Sequence, residues 1–303
     1  MGSRTIEFYD DGRTWRNTVS NDSVIHSASP DKITFSHISP KDSIAYALST
    51  DKIHYAKGQV MGSIQRRSAF KKVFVAPPPP PPTDPYFSNV VALLHMDGTD
   101  ASTVFTDVTG RTWSVASGTP QIDTDQSVFG GSSLYLPTTA SSISTAASSA
   151  WTWHTQPYTI ECRSRVPTAF TNDSRGRPRL IGEGASTPGI LNWSFGFNSA
   201  GKVTFFYWGG SIVLWSAATA ASVGAFHHIA ASFDGSVMRL FLDGVLDGTF
   251  TYTTAHAPDA GQLLRIGFGD YSPVGHADEI RITKGVARYT ANFTPPTNPF
   301  PDQ

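Results

Sequence analysis

The chain has 303 residues, 39% hydrophobic and 16% charged, with 7 Trp and 19 Phe, enough for a real core in two domains or one large β domain with an appendage. A net charge of −1 argues against a nucleic-acid or membrane-surface partner for the whole chain. One cysteine, Cys162, excludes an intrachain disulfide and a cysteine zinc site. No apolar run approaches the ~20 residues that span a bilayer, and Met1–Thr5 lead into no apolar stretch of secretory type.

Residues 1–75 carry 11 Lys/Arg against 7 Asp/Glu. Thr5–Tyr9, a turn at Asp10-Asp11-Gly12 and Arg13–Arg16 read as a hairpin. Short strands are expected at Val24–His26, Lys32–Phe35, Ile44–Leu48, Lys52–Tyr55 and Phe70–Val75, with one helical turn near Pro40–Ala45. The expected product is a small β-barrel or sandwich, too small to be robust alone. Pro77–Pro82 follow, within a linker spanning residues 76–85. Six prolines without amide donors form an extended rod of ~3.1 Å per residue, read as a spacer rather than a peptide ligand.

From residue 86 the chain is a series of strands. Asn89–Met96 is apolar and ends at Asp97-Gly98. Thr112–Val115, Ser133–Leu136, Tyr158–Val166, Trp193–Phe197 and Lys202–Trp208 come next, the last two around a turn at Asn198–Gly201. His227–Phe233, Val237–Leu242 and Val245-Leu246 are joined by Asp234-Gly235 and Asp243-Gly244, the strongest local hairpin signals in the chain. Glu279–Thr283 alternates polar and apolar side chains, as a closing strand with one buried face should. Lys284–Tyr289 reads as one turn packed under the sheet, followed by a proline-held tail on the surface.

The run from Asp278 to Pro296, the segment Phe129–Leu136 and the meander His227–Gly248 together resemble the concanavalin A-like (laminin-G-like) jelly rolls of bacteriophage tail, fibre and other virion proteins. The resemblance covers residues 86–303 and implies two stacked antiparallel sheets. The expected fold is therefore all-β, a small N-terminal β domain followed by a jelly roll.

Concanavalin A-like folds also host glycosidases, which place two carboxyls ~5–5.5 Å apart in retaining enzymes. The four glutamates, Glu7, Glu161, Glu183 and Glu279, are widely separated in sequence. Asp123 and Asp125 have alternate spacing but read as a solvated loop. His227 and His228, adjacent on a strand, point to opposite faces and cannot chelate one ion. No Gly-x-Ser-x-Gly elbow occurs. An enzyme is not expected.

The superfamily resemblance implies a structural calcium, for which Asp97 and Asp278 are the candidates; the other reading makes Asp97-Gly98 a turn and Asp278 a backbone cap. Tyr207, Trp208 and Trp215 beside Gly209-Gly210, with Asp270, Tyr271 and His276 in a loop before the last strand, are candidates for glycan contact. Subunit contact and ordinary rim packing remain open for them. Arg175, Arg177, Arg179 and Asp173 read as an exposed charged loop.

The functional expectation is a virion structural protein, made in bacterial cytoplasm. Residues 1–75 would hold it to other virion subunits, and the jelly roll would face host surface glycans as a tail fibre or capsid decoration. A homo-oligomer is expected, with no nucleic acid and no membrane insertion. The alternative is a bacterial lectin or carbohydrate-active enzyme of the same superfamily.

Overall fold

The computed structural model describes residues 83–303 apart from 154–155, 172, 185–190, 209–211, 252–261 and 269–272, and before residue 83 the backbone of six strands. The chain divides into two compact units, Met1–Pro81 and Pro82–Gln303. In the first, β1 (Ile6–Glu7), β2 (Thr14–Val19), β3 (Asp22–Ser29) and β4 (Lys32–Phe35) form an antiparallel meander, and β5 (Ile44–Ala47) pairs with β6 (Lys71–Phe74). The registers Val19↔Asp22 and Ser29↔Lys32 leave two residues in each connection, the length of the tightest hairpins. Ile44 and Ala45, read as the end of a helical turn, belong to β5. The expected strand at Lys52–Tyr55, the contacts that distinguish a barrel from a sandwich, and the proline rod lie outside the described residues.

The second unit is all-β. Its strands are β7 (Val90–Leu94), β8 (Trp113–Ser117), β9 (Gln121–Asp123), β10 (Ser133–Leu136), β11 (Ser142–Thr145), β12 (Tyr158–Arg165), β13 (Ile181–Gly184) and β14 (Leu191–Phe197), then β15 (Lys202–Trp208), β16 (Ile212–Ala220), β17 (Phe226–Phe233), β18 (Val237–Leu242), β19 (Val245–Thr251), β20 (Leu264–Ile266) and β21 (Gly275–Lys284). One sheet runs β19-β18-β17-β12-β21-β10-β9, with β7 also paired to β21, and the other runs β16-β15-β14-β13-β20-β11-β8. All the pairings are antiparallel.

Alternation sends one side chain in two inward from each sheet. Ile160, Cys162, Ile229, Ala231, Leu240 and Ile282 from the larger sheet meet Ile181, Trp193, Phe195, Phe205, Tyr207 and Leu264 from the smaller in one core. Trp153 plugs it, its ring 4.1 Å from Tyr158 and 4.4 Å from Trp193. The β18–β19 turn has the expected mirror-image geometry, with φ of 50° at Asp243 and 80° at Gly244. A side chain at Gly244 would strike the Phe293 carbonyl.

β21 changes phase midway. His276 and Asp278 face outward and Ala277 inward, yet Ile280 and Ile282 also face inward. The shift is a bulge at Glu279, whose φ is 50°, and the extra residue resets the alternation. Without it the two isoleucines would point to the outer face, into the charge network of Glu161 and Arg281.

Residues 285–303 contain no helical turn; the expected one is replaced by an extended segment laid across the outer face of the larger sheet. Tyr289 and Phe293 stack at 3.6 Å and pack edge-on against His228 and Phe241. Phe300 packs with Val90 and Leu93, and its N–H donates to Glu279. Beneath this strap lies a charge network. Glu161 is fully buried and accepts from Arg281 Nε (3.0 Å) and Nη2 (2.8 Å) and from the Tyr289 hydroxyl (2.8 Å), and its carboxylate pairs with His228 Nε2 (3.1 Å). Arg281 and Arg288 both donate to Asp84, a residue that the sequence reading places in the linker.

Burial opposes ionisation of Glu161, but the Arg281 charge and the His228 hydrogen bond outweigh it and hold the carboxyl below its usual range. Breaking such a pair from one side strands a buried charge. Arg281→Met is therefore expected to cost about 3–5 kcal/mol in urea unfolding followed by Trp fluorescence. The double variant with Glu161→Leu should cost less than that single change. A single-variant cost near zero would contradict the network's role.

Candidate functional site

The strap covers only part of the larger sheet's outer face. On the remainder, the registers Gln121↔Tyr135, Tyr135↔His276, His276↔Arg165 and Arg165↔Phe226 align one outward residue from each of β9, β10, β21, β12 and β17. At ~4.8 Å per strand the row is roughly 19 Å long. Gln121, Tyr135, Arg165 and Phe226 are half-buried, with His276 7% exposed between them.

The row is braced by local chemistry. The Tyr135 and His276 rings stack at 4.7 Å, and Phe226 lies 6.3 Å from the imidazole. His276 Nε2 pairs with Asp123 Oδ2 at 2.8 Å. Burial lowers the His276 pKa against the pull of Asp123, so the ring is neutral, donates through Nε2 and keeps Nδ1 as an acceptor. Nδ1 is buried and has no partner among the described residues. Arg165 Nε donates to the Gly224 carbonyl at 3.1 Å. Gly275, with φ of 145°, runs so close to the Arg165 carbonyl that no side chain fits there. Aromatic faces, a guanidinium, an amide and a carboxylate thus share one rigid surface.

The residues expected from sequence separate. Trp208 is 43% exposed on the outer face of the smaller sheet. Tyr207, its neighbour, faces the core, and Trp215 packs inward 4.9 Å from Tyr207 and 5.6 Å from Phe250. His276 lies in β21, on the other sheet from Trp208, rather than in a loop. Asp270 and Tyr271 lie outside the described residues. Asp123 is not a solvated loop residue; it ends β9 and holds His276. Gln121, Tyr135, Arg165 and Phe226 are not among the candidates from sequence, although Tyr135 and Arg165 each sit at an outward position of a strand read from sequence. The Asp173 loop is also corrected: Arg177 and Arg179 are buried and both bind Asp173, and only Arg175 is exposed. His227 pairs with Asp243 and His228 with Glu161, on opposite faces.

Asp278 lies inside β21, and its Oδ2 accepts from Val128 N (2.7 Å) and Phe129 N (3.3 Å). Asp97 places its carboxylate over Gly130 in the same turn. Among the described residues no three His, Cys, Asp or Glu side chains gather to hold a metal. Asp278 therefore takes the backbone-cap role, with the Asp97 carboxylate beside the same turn.

Burial pushes the Asp278 carboxyl up to about 7, against the backbone hydrogen bonds that favour its charge. A raised carboxyl pKa burdens the fold increasingly between about pH 4 and pH 7 and fully above it. Asp278→Asn keeps an oxygen for both N–H groups. It should raise the melting temperature at pH 8, the gain in stability being up to about 4 kcal/mol at 1.36 kcal/mol per pKa unit, with no gain near pH 4. A calcium-dependent loss of stability at pH 8 would contradict this and favour a bound cation.

No curated protein matches the chain. Among solved structures, domain 4 of AbnA, a GH43 extracellular arabinanase from Geobacillus stearothermophilus in complex with arabinotriose, is similar at 19% identity and a TM-score of 0.45, over 65% of this chain and 93% of that one. The binding domain of Paraclostridial Mosquitocidal Protein 1 is similar at 15% identity and 0.46, over 66% and 48%. The binding domain of Botulinum Neurotoxin DC in complex with SialylT is similar at 11% and 0.46, over 72% and 50%. The chain thus spans about half the length of these last two. Residues 137–287 match the family model of the Concanavalin A-like lectin/glucanases superfamily, and with the two stacked sheets this puts a concanavalin A-like jelly-roll domain at those residues.

Proposed function

We propose that the chain is a structural protein of a bacteriophage particle whose jelly roll binds a surface glycan along the Gln121–Tyr135–His276–Arg165–Phe226 row. The observation that carries the binding reading is the row itself: half-buried aromatic rings and hydrogen-bonding groups, fixed on five strands, beside a strap that leaves them uncovered. Sugar sites pair ring faces with a few oriented polar groups in this way. The particle reading is supported by the resemblance of Asp278–Pro296 to virion jelly rolls. Residues 1–75, basic and small, are the segment that attaches to other virion subunits, and several copies would give avidity to weak sites.

Binding without cleavage is favoured because Glu161 and Glu279 are engaged in the fold. Glu161 is held by Arg281 and Tyr289, and Glu279 by His95 at 2.8 Å and Phe300 N at 2.8 Å. On an array of bacterial surface glycans, the full chain should bind a subset, and Tyr135→Ala should weaken that binding about tenfold, one stacking contact being worth about 1–1.5 kcal/mol. New reducing ends after incubation with a bound polysaccharide would overturn the non-enzymatic reading. Binding unaffected by Tyr135→Ala would remove the row from it.

A further inference from the structure

Sheet edges are ordinarily blunted by shortness, charge or bulges, because a row of unpaired backbone groups is a template for another chain. Three of the strands that end the two sheets follow this rule. β9 and β8 are three and five residues long, and β19 is broken by a bulge at Asp247. The fourth, β16, runs nine residues, Ile-Val-Leu-Trp-Ser-Ala-Ala-Thr-Ala, without a charge or a proline. Its second half is protected. The register with β15 slips between Thr204↔Ser216 and Lys202↔Ala220, and there Asp247 accepts from Thr219 N (2.7 Å) and Oγ1 (2.9 Å). Its first half has no such device: among the described residues, the backbone of Ile212, Val213 and Leu214 pairs with β15 alone.

The side chains of that open half are apolar. The registers Trp208↔Ile212 and Phe206↔Leu214 set four large residues in two facing pairs on the outer face of the smaller sheet. Phe206 is buried, with the Arg177 guanidinium 5.3 Å from its ring. Trp208, Ile212 and Leu214 are between 37% and 43% exposed. Single exposed apolar residues are ordinary, but three together along an unprotected edge mark an interaction surface. The chemistry selects the occupant. The edge asks for an extended backbone, which a sugar ring stacked on Trp208 would not supply. The apolar side chains ask for the same on the partner, and with no charge on the strand two identical edges meet without repulsion.

We propose that the first half of β16 is a docking surface for a second copy of this chain. The partner adds its own β16 about a two-fold axis near Leu214, which makes the two strands antiparallel, as all the pairings within the sheet are, and joins two seven-stranded sheets into one. Ile212, Leu214 and Trp208 of both copies then cover one another. Three residues at ~3.4 Å give a pairing about 10 Å long. That is too narrow to reach the ~800 Å² per partner of a lasting complex, so the dimer forms at high concentration or where copies are already held side by side. This surface is on the opposite sheet from the Tyr135–His276 row and stands independently of it.

The test uses the full chain in sedimentation velocity over a concentration series, with amide hydrogen exchange at the two ends of the series. Wild type should associate as concentration rises, and amides among residues 212–214 should gain protection with it. Leu214→Lys sets two like charges across the axis and should move the association about tenfold to higher concentration and abolish that gain in protection. Val104→Lys adds the same charge at a position 71% exposed elsewhere and should associate as wild type does. Both positions are exposed, so both variants should melt as wild type does. Association through residues 1–75 is common to the two lysine variants and cancels in comparing them. Equal behaviour of the two variants, or a gain in protection that bypasses residues 212–214, would overturn the proposal. So would a chain that stays monomeric while a glycan protects Trp208, which would assign the patch to a ligand.

Discussion

Glu161 and Arg281 face each other on adjacent strands, on the side of the larger sheet that a simple sandwich would leave to solvent. Two charges in that position are tolerated dry only if their remaining hydrogen-bonding capacity is met. Tyr289, His228, Asp84 and Arg288 meet it, and three of these come from outside the two strands' neighbours. The C-terminal strap therefore does more than add apolar area. It closes a polar network whose members span residues 84 to 289, tying the first described residues of the jelly roll to its last strand. The backbone bond from Asp84 N to the Gln303 carbonyl, 2.7 Å, closes the same circuit at the chain end.

The Glu279 bulge divides the labour along β21. On one side of it Arg281 and Thr283 lie beneath the strap; on the other His276 and Asp278 point to the same face without that cover. A single strand thus contributes both to the closed network and to the open row. Because the row stands on strands rather than loops, its groups are held at fixed spacing, the arrangement expected of a surface that recognises a ligand without rearranging.

The strands most legible in the sequence are those with both alternation and turn chemistry. The β17–β19 meander was readable because Asp234-Gly235 and Asp243-Gly244 punctuate apolar runs, and the turn geometry at Asp243 and Gly244 matches. β16, which opens Ile-Val-Leu-Trp, also lies outside the strands read from sequence, and three others have weak patterns. β11 is Ser-Ile-Ser-Thr, β13 is Ile-Gly-Glu-Gly, and β9 looked like polar loop. Their outward positions carry small or polar residues, so hydrophobic periodicity has little to detect. The candidate row was hidden for a different reason. Its members are spread from residue 121 to 276 and are aligned only by register, which depends on a sheet order no local pattern encodes. The aromatic cluster around Gly209-Gly210 was misleading because Tyr207 and Trp208 are adjacent and must face opposite ways. Only one of them could be a surface platform.

The central claim is that ligand recognition belongs to the uncovered half of the larger sheet. Backbone amide NMR of the full chain, titrated with a glycan that binds it on an array, tests this most directly. The account expects shifts concentrated at Gln121–Asp123, Ser133–Leu136, Arg163–Arg165, Phe226 and Gly275–Asp278, with Arg281–Thr283 and Tyr289–Phe293 beneath and within the strap little changed. Shifts confined to the strap, or to the Trp208 edge of the other sheet, would contradict it.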